Sequence, residues 1–216
     1  MLPSLNSLLE IIEGEDDLRE HLPGEHDQKT HGRRNPQIDT PEFKAWFGNS
    51  KVVDENGDPL VVYHGTVGNF TTFDKSKFGE FDDGWLGEGF YFSDTAKGAE
   101  DYTRDDISRL KRQSAEGGNI FPVYLSMENP LIVDFSLDEL GQTWNSRSAM
   151  SAKEFSAILR KRGHDGVIFK GPVAPSGLSD NQFMVFDPTQ IKSATGNRGT
   201  FDPNSPKINE AHDGPS

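Results

Sequence analysis

The chain has 216 residues with 22 Lys plus Arg against 35 Asp plus Glu, a formal charge of −13. That length suits one ordinary domain with tails, and that charge argues against gripping a phosphate backbone by bulk electrostatics. Cysteine is absent, which excludes disulfides, thiolate metal sites and cysteine nucleophiles. No apolar run approaches the roughly 20 residues that span a bilayer, and the start MLPSLNSLLEIIEGEDD lacks the basic and apolar regions of a secretory signal. The expectation is a soluble, intracellular or packaged protein without a membrane partner.

In chain order, Ser4 to Glu13 carries Leu5, Leu8, Leu9, Ile11 and Ile12 at the spacing of one short amphipathic helix. Residues 14–37 are polar and charged with few large apolar groups, so residues 1–37 read as a short helix plus flexible linker. Thr40-Pro41-Glu42 is an N-cap, a first-turn proline and an acidic first turn, opening a helix through Phe47 that stops at Gly48. Lys51 to Val53 and Leu60 to His64 read as strands of a hairpin turned at Asn56-Gly57. Gly89 to Ser93 is a short aromatic strand, and Thr95 to Ser114 reads as a helix with Ala96, Ala99, Tyr102, Ile107 and Leu110 near one face. Ile120 to Ser126, Leu131 to Phe135, Gly166 to Lys170 and Gln182 to Asp187 read as strands, and Ser151 to Arg162 as a helix. After Ile191 the chain turns polar and rich in Gly and Pro, and 201–216 reads as a flexible tail around a domain of 38–200. Short strands at irregular spacing interleaved with a few helices make the fold α+β.

Three segments place a polar side chain in or beside an aromatic or β-branched strand. They are Tyr63-His64-Gly65-Thr66, the stretch GEGFYFSDTAKGAEDY from Gly87 to Tyr102, and NQFMVFD from Asn181 to Asp187. Taken singly, each has an ordinary structural reading: a tied-off strand histidine, a core tyrosine, an edge glutamine, turn glycines. Competing chemistries fare worse. The six histidines show no HExxH spacing, and His21, His26 and His31 lie in the polar linker, where solvation is the simpler account. Gly87-x-Gly89 precedes a strand instead of a helix, which fails the dinucleotide-binding context. Neither GxSxG nor a phosphate-binding P-loop occurs. Arg109-Leu110-Lys111-Arg112 and Lys161-Arg162 fit solvated helix ends.

The three segments in this order, over about 160 residues, resemble the motifs of the ADP-ribosyltransferase superfamily in its His-Tyr-Glu branch. That branch includes diphtheria-type toxins and poly(ADP-ribose) polymerases, and the nearest flavour is the phage and polyvalent-protein type. The resemblance implies a split β-sandwich of two small sheets with flanking helices around an NAD cleft, NAD as substrate, and no metal. It implies that His64 bonds a ribose hydroxyl and that the Gly65 backbone meets the nicotinamide carboxamide. Tyr91 and Tyr102 would sandwich the nicotinamide ring, with Tyr63 in the same contacting set and Thr66 and Asn69 toward the adenosine half. The loop 171–181 would read the acceptor.

The departure is Gln182, where the branch carries Glu. A carboxylate there stabilises the developing ribose cation and orients the nucleophile, whereas an amide keeps the size but loses charge and basicity. Three readings stay open: a native working residue, a degenerate binder, or an introduced Glu→Gln change. The implied function is mono-ADP-ribosyl transfer from NAD to a host macromolecule, protein before nucleic acid. The setting would be a phage-encoded effector in the host bacterial cytoplasm or carried in the virion. A silent NAD-binding virion module and an NAD glycohydrolase are the alternatives.

Overall fold

The computed structural model describes residues 35–66, 70–78, 84–100, 119–134, 150–171, 181–197 and 199–209. The expected N-terminal helix, most of the linker, and the distal part of the helix expected from Thr95 lie outside the described residues, as do the acceptor-loop residues 172–180.

Seven strands form one sheet in the order β4-β5-β6-β2-β1-β3-β7. They are β1 Val62–Thr66, β2 Phe90–Ser93, β3 Asn119–Leu125, β4 Leu131–Asp134, β5 Gly166–Lys170, β6 Gln182–Val185 and β7 Ile191–Ser193. Among the described residues, the α-helices are α1 Pro41–Phe47, α2 Ala96–Glu100 and α3 Ala152–Lys161. Among the described strands, β4 and β5 are parallel, joined across α3, and the other pairs are antiparallel. The fold is α+β. Hydrogen bonding makes the sheet continuous, but it nearly parts in the middle: β1 and β2 share the single register pair Tyr63↔Ser93, whereas β1 and β3 share five. The expected two small sheets therefore meet at one seam.

Local chemistry explains the helices. Thr40 accepts from Phe43 N–H at 3.2 Å, Pro41 fills the first helical position, and Gly48 at φ 56° stops α1. Ser151 and Glu154 form a reciprocal capping box at the start of α3.

Alternation then divides the core. One face of the sheet buries Val62, Phe90, Phe92, Val123, Leu125, Ile168, Phe183, Val185 and Ile191, with Phe73 and Ile208 over them. The opposite face carries two separate clusters. Beneath α3, at the β4-β5-β6 end, lie Leu86, Val133, Phe155, Leu159, Phe169 and Met184. Beneath α1, at the other end, lie Phe43, Trp46, Phe47, Tyr124 and Phe201.

Four expectations change. Lys51–Val53 is not a strand; Val53 makes an isolated bridge to Pro59 across the expected turn. Ile191–Ser193 is a strand, although it lies where the sequence turns polar. The flexible tail does not hold for residues 201–209. Phe201 is 1% exposed and packs edge-on against Phe43, and Ile208 is fully buried. Ile208 N–H donates to Thr71 O, and Ser193 N–H donates to Ile208 O. The buried Lys192 ammonium donates to the carbonyls of Ser205 at 2.8 Å and Lys207 at 3.0 Å. At the other end, Ile38 is buried and Asn35 Nδ2 donates to Ala194 O, so packing begins before residue 38.

Phe201→Ala is expected to lower stability by about 3–5 kcal/mol, the cost of emptying a buried aromatic site. Asn204→Ala, at an exposed position of the same segment, should stay within about 0.5 kcal/mol. Urea denaturation checks the pair; equal small effects would mean that the segment contributes no packing.

Candidate active site

The cleft lies on the face that carries the two separate clusters, in the gap between them, at the seam of the sheet. Its lining is Tyr63, Gly65, Tyr91, Phe92, Ser93, Gly98, Ala99 and Gln182. The register explains this gathering. Tyr63 is opposite Ser93, and Ser93 is opposite Gln182, so one row crosses three strands on one face. Above that row, α2 contributes only small residues. Gly98 is required there, because a Cβ on it would strike the Ser93 hydroxyl. Thr95 Oγ1 accepts from Gly98 N–H at 3.0 Å and fixes the first turn of α2 over Ser93.

Tyr91 presents its ring to the cleft and commits its hydroxyl elsewhere. The hydroxyl donates to Gly87 O at 2.6 Å and accepts from Leu86 N–H at 2.9 Å. It thereby anchors the turn 84–87, in which Gly84 has φ 67° and no room for a Cβ beside Gly87 O and the Tyr91 hydroxyl. The same turn carries Trp85, whose indole N–H donates to Gln182 Oε1 at 2.9 Å. Trp85 also stands edge-on to Phe169 at 4.6 Å between centroids.

His64 is one residue off the lining row, so its ring is on the other face. Gln182 and His64 therefore face opposite sides of the sheet. The imidazole is set among Phe73 at 4.8 Å, Phe92 at 5.5 Å and Phe70 at 6.2 Å between centroids. Its Nδ1 is 2.8 Å from Tyr91 O. A carbonyl only accepts, so Nδ1 carries the proton and the neutral ring keeps a lone pair on Nε2. Burial among these rings lowers the His64 pKa below 6.5, against the bond to Tyr91, which raises it.

Of the expected set, Tyr63, Gly65, Tyr91 and Gln182 come together in the cleft. His64 is joined to it through Tyr91, and Thr66 ends β1 opposite Asn119, outside the lining. Asn69 and Tyr102 lie outside the described residues. The sequence reading missed Ser93, Gly98, Ala99 and Trp85. The pair Gly98-Ala99 at the start of a helix was the available signal for a close approach. Nothing local to Trp85 announced its partner 97 positions away.

Residues 54–201 match the family described as ADP-ribosyltransferase in polyvalent proteins. The chain belongs to that family. Comparison with curated proteins finds no match. An ADP-ribosyltransferase takes NAD as its substrate. Gly65, Gly98 and Ala99 bring little side-chain bulk to the cleft, Tyr91 brings an aromatic residue, and Ser93 and Gln182 bring polar groups. Among the described residues, no three His, Asp or Glu side chains are grouped to hold a metal, and no helix is long and apolar enough to cross a membrane.

The buried neutral His64 predicts a pH dependence. Its folded pKa is below the unfolded value near 6.5, so the unfolded chain binds more protons as pH falls through that window. The His64 contribution should therefore destabilise the fold as pH drops below about 6.5 and stay constant above it. Denaturation of wild type and His64→Gln between pH 5 and 8 checks this (both limits about one to one and a half units from 6.5). The stability difference should change with pH on the acid side; a pH-independent difference would show that His64 titrates as it does in water.

Proposed function

We propose that this ADP-ribosyltransferase moves a single ADP-ribose unit from NAD to a macromolecular acceptor, protein before nucleic acid, as a phage-encoded effector acting in a bacterial host. The observation that carries the reading is the Tyr63–Ser93–Gln182 row, which sets a polar side chain beside a cradle of small residues and an aromatic wall. In this reading Tyr91 stacks on the nicotinamide and the Gly65 backbone meets its carboxamide. His64, whose ring lies on the other face, serves the site through its bond to Tyr91 O and not by touching the ribose. Tyr102 closes the ring's second face, and Thr66 and Asn69 meet the adenosine half. Residues 171–181 select the acceptor.

The bond between nicotinamide and ribose breaks as positive charge develops on the sugar, and the nicotinamide leaves with the bonding pair. The acceptor nucleophile then bonds to the anomeric carbon and gives up its proton. Gln182 is suited to holding the sugar in place by hydrogen bonding, but a neutral amide contributes no charge to the cation and no base to the nucleophile. Elongation into a polymer is accordingly outside this reading. Gln182 also favours a second reading, an NAD-binding module without turnover.

Incubation with labelled NAD and bacterial lysate separates these. Label on protein is the expected result. Free ADP-ribose alone would indicate hydrolysis, and binding without turnover would indicate the silent module. Gln182→Glu should change NAD cleavage little or lower it if Gln182 is the working residue, and raise it by roughly 10²–10³, the scale of one preorganised electrostatic stabiliser, if the amide is what silences the site. Tyr91→Ala should weaken NAD binding by about 1–3 kcal/mol in calorimetry. Cleavage indifferent to Gln, Glu and Ala at position 182 would remove that residue from the site.

A further inference from the structure

We infer that Trp85 is a positioning residue that fixes the amide of Gln182 with its NH2 toward the cleft, so that this position offers a ligand hydrogen-bond donors. The inference rests on the reading of the cleft as an NAD site. An indole N–H can only donate, so the atom of Gln182 that faces Trp85 at 2.9 Å must be the carbonyl oxygen. The amide is planar, with oxygen and nitrogen on opposite sides of its axis, so holding the oxygen toward Trp85 turns the nitrogen the other way. Gln182 lines the cleft and Trp85 does not. Among the described residues, Gln182 Nε2 has no hydrogen-bond partner. Two N–H donors thus remain for whatever enters.

The tryptophan is itself held. Its ring abuts Phe169, the residue opposite Gln182 on β5, and its backbone belongs to the turn that the Tyr91 hydroxyl anchors at Leu86 and Gly87. An aromatic wall of the cleft and the orientation of its polar side chain are therefore set by one connected group. The consequence is a specificity rule: the ligand atom opposite Gln182 must be an acceptor, such as a ribose oxygen or a carbonyl.

The test uses the whole chain. The Trp85 indole N–H is one of only three in the protein, which makes its resonance tractable by NMR. It should be protected from solvent exchange in wild type and lose that protection in Gln182→Met, which keeps the length of the side chain but removes its oxygen. Trp85→Phe, which retains an aromatic ring beside Phe169, should weaken NAD binding by roughly threefold to tenfold, the scale of one hydrogen bond. In a Gln182→Met background the same change should have no further effect on NAD affinity, whereas a merely structural role would add its cost in both backgrounds. Unchanged exchange in Gln182→Met, unchanged affinity in Trp85→Phe, or additive losses would overturn the assignment. Absence of NAD binding in wild type, with the indole still protected through Gln182, would instead sink the NAD reading and with it the specificity rule.

Discussion

The site depends on how little holds the sheet together at its centre. Between β1 and β2 a single pair, Tyr63↔Ser93, carries the join, while the strands on either side are paired along most of their length. A fully zipped junction would bring the two halves into one even surface and leave no gap between the clusters under α1 and α3. The opposite face is continuous, with Val62, Phe92, Phe183 and Ile168 in one core, so the molecule can part on one side without losing cohesion. Packing closes one face and leaves the other available for chemistry.

That division gives the paired residues of each motif different tasks. In Tyr63-His64, Tyr63 belongs to the open face and His64 to the aromatic core, where its Nδ1 proton is committed to Tyr91 O. In Tyr91-Phe92, Tyr91 presents its ring to the cleft while Phe92 contacts the His64 ring. The His64–Tyr91 bond crosses the seam that has only one backbone pair, so a side chain supplies cohesion where the ladder is sparse. A histidine there has a structural use, because its carbonyl partner keeps the proton on Nδ1 and the buried ring neutral.

The sequence revealed what alternation and local capping encode. Phe90-Tyr91-Phe92-Ser93 and Gln182-Phe183-Met184-Val185 announce strands, and Thr40-Pro41 and Ser151 announce helix starts at the residues where they begin. The seam was not legible, since its register arises from β1, β2 and β6 together. Trp85 was not legible for the same reason: its partner is set by register and not by neighbourhood. The segment after Ile191 misled because average composition hides two anchors. Phe201 and Ile208 suffice when Lys192 and backbone hydrogen bonds secure the polar chain between them.

The position of Ile208 also governs when the domain can be finished. Its backbone joins Thr71 to Ser193, and its side chain fills the core that also holds Phe73, one of the rings around His64. Ile208 follows all of β1 to β7 in the chain, so the large core stays open on one side until that residue is in place. Such a long-range closure is slow relative to hairpin formation. A chain cut before Ile208 would leave the ring cluster around His64 without that cover.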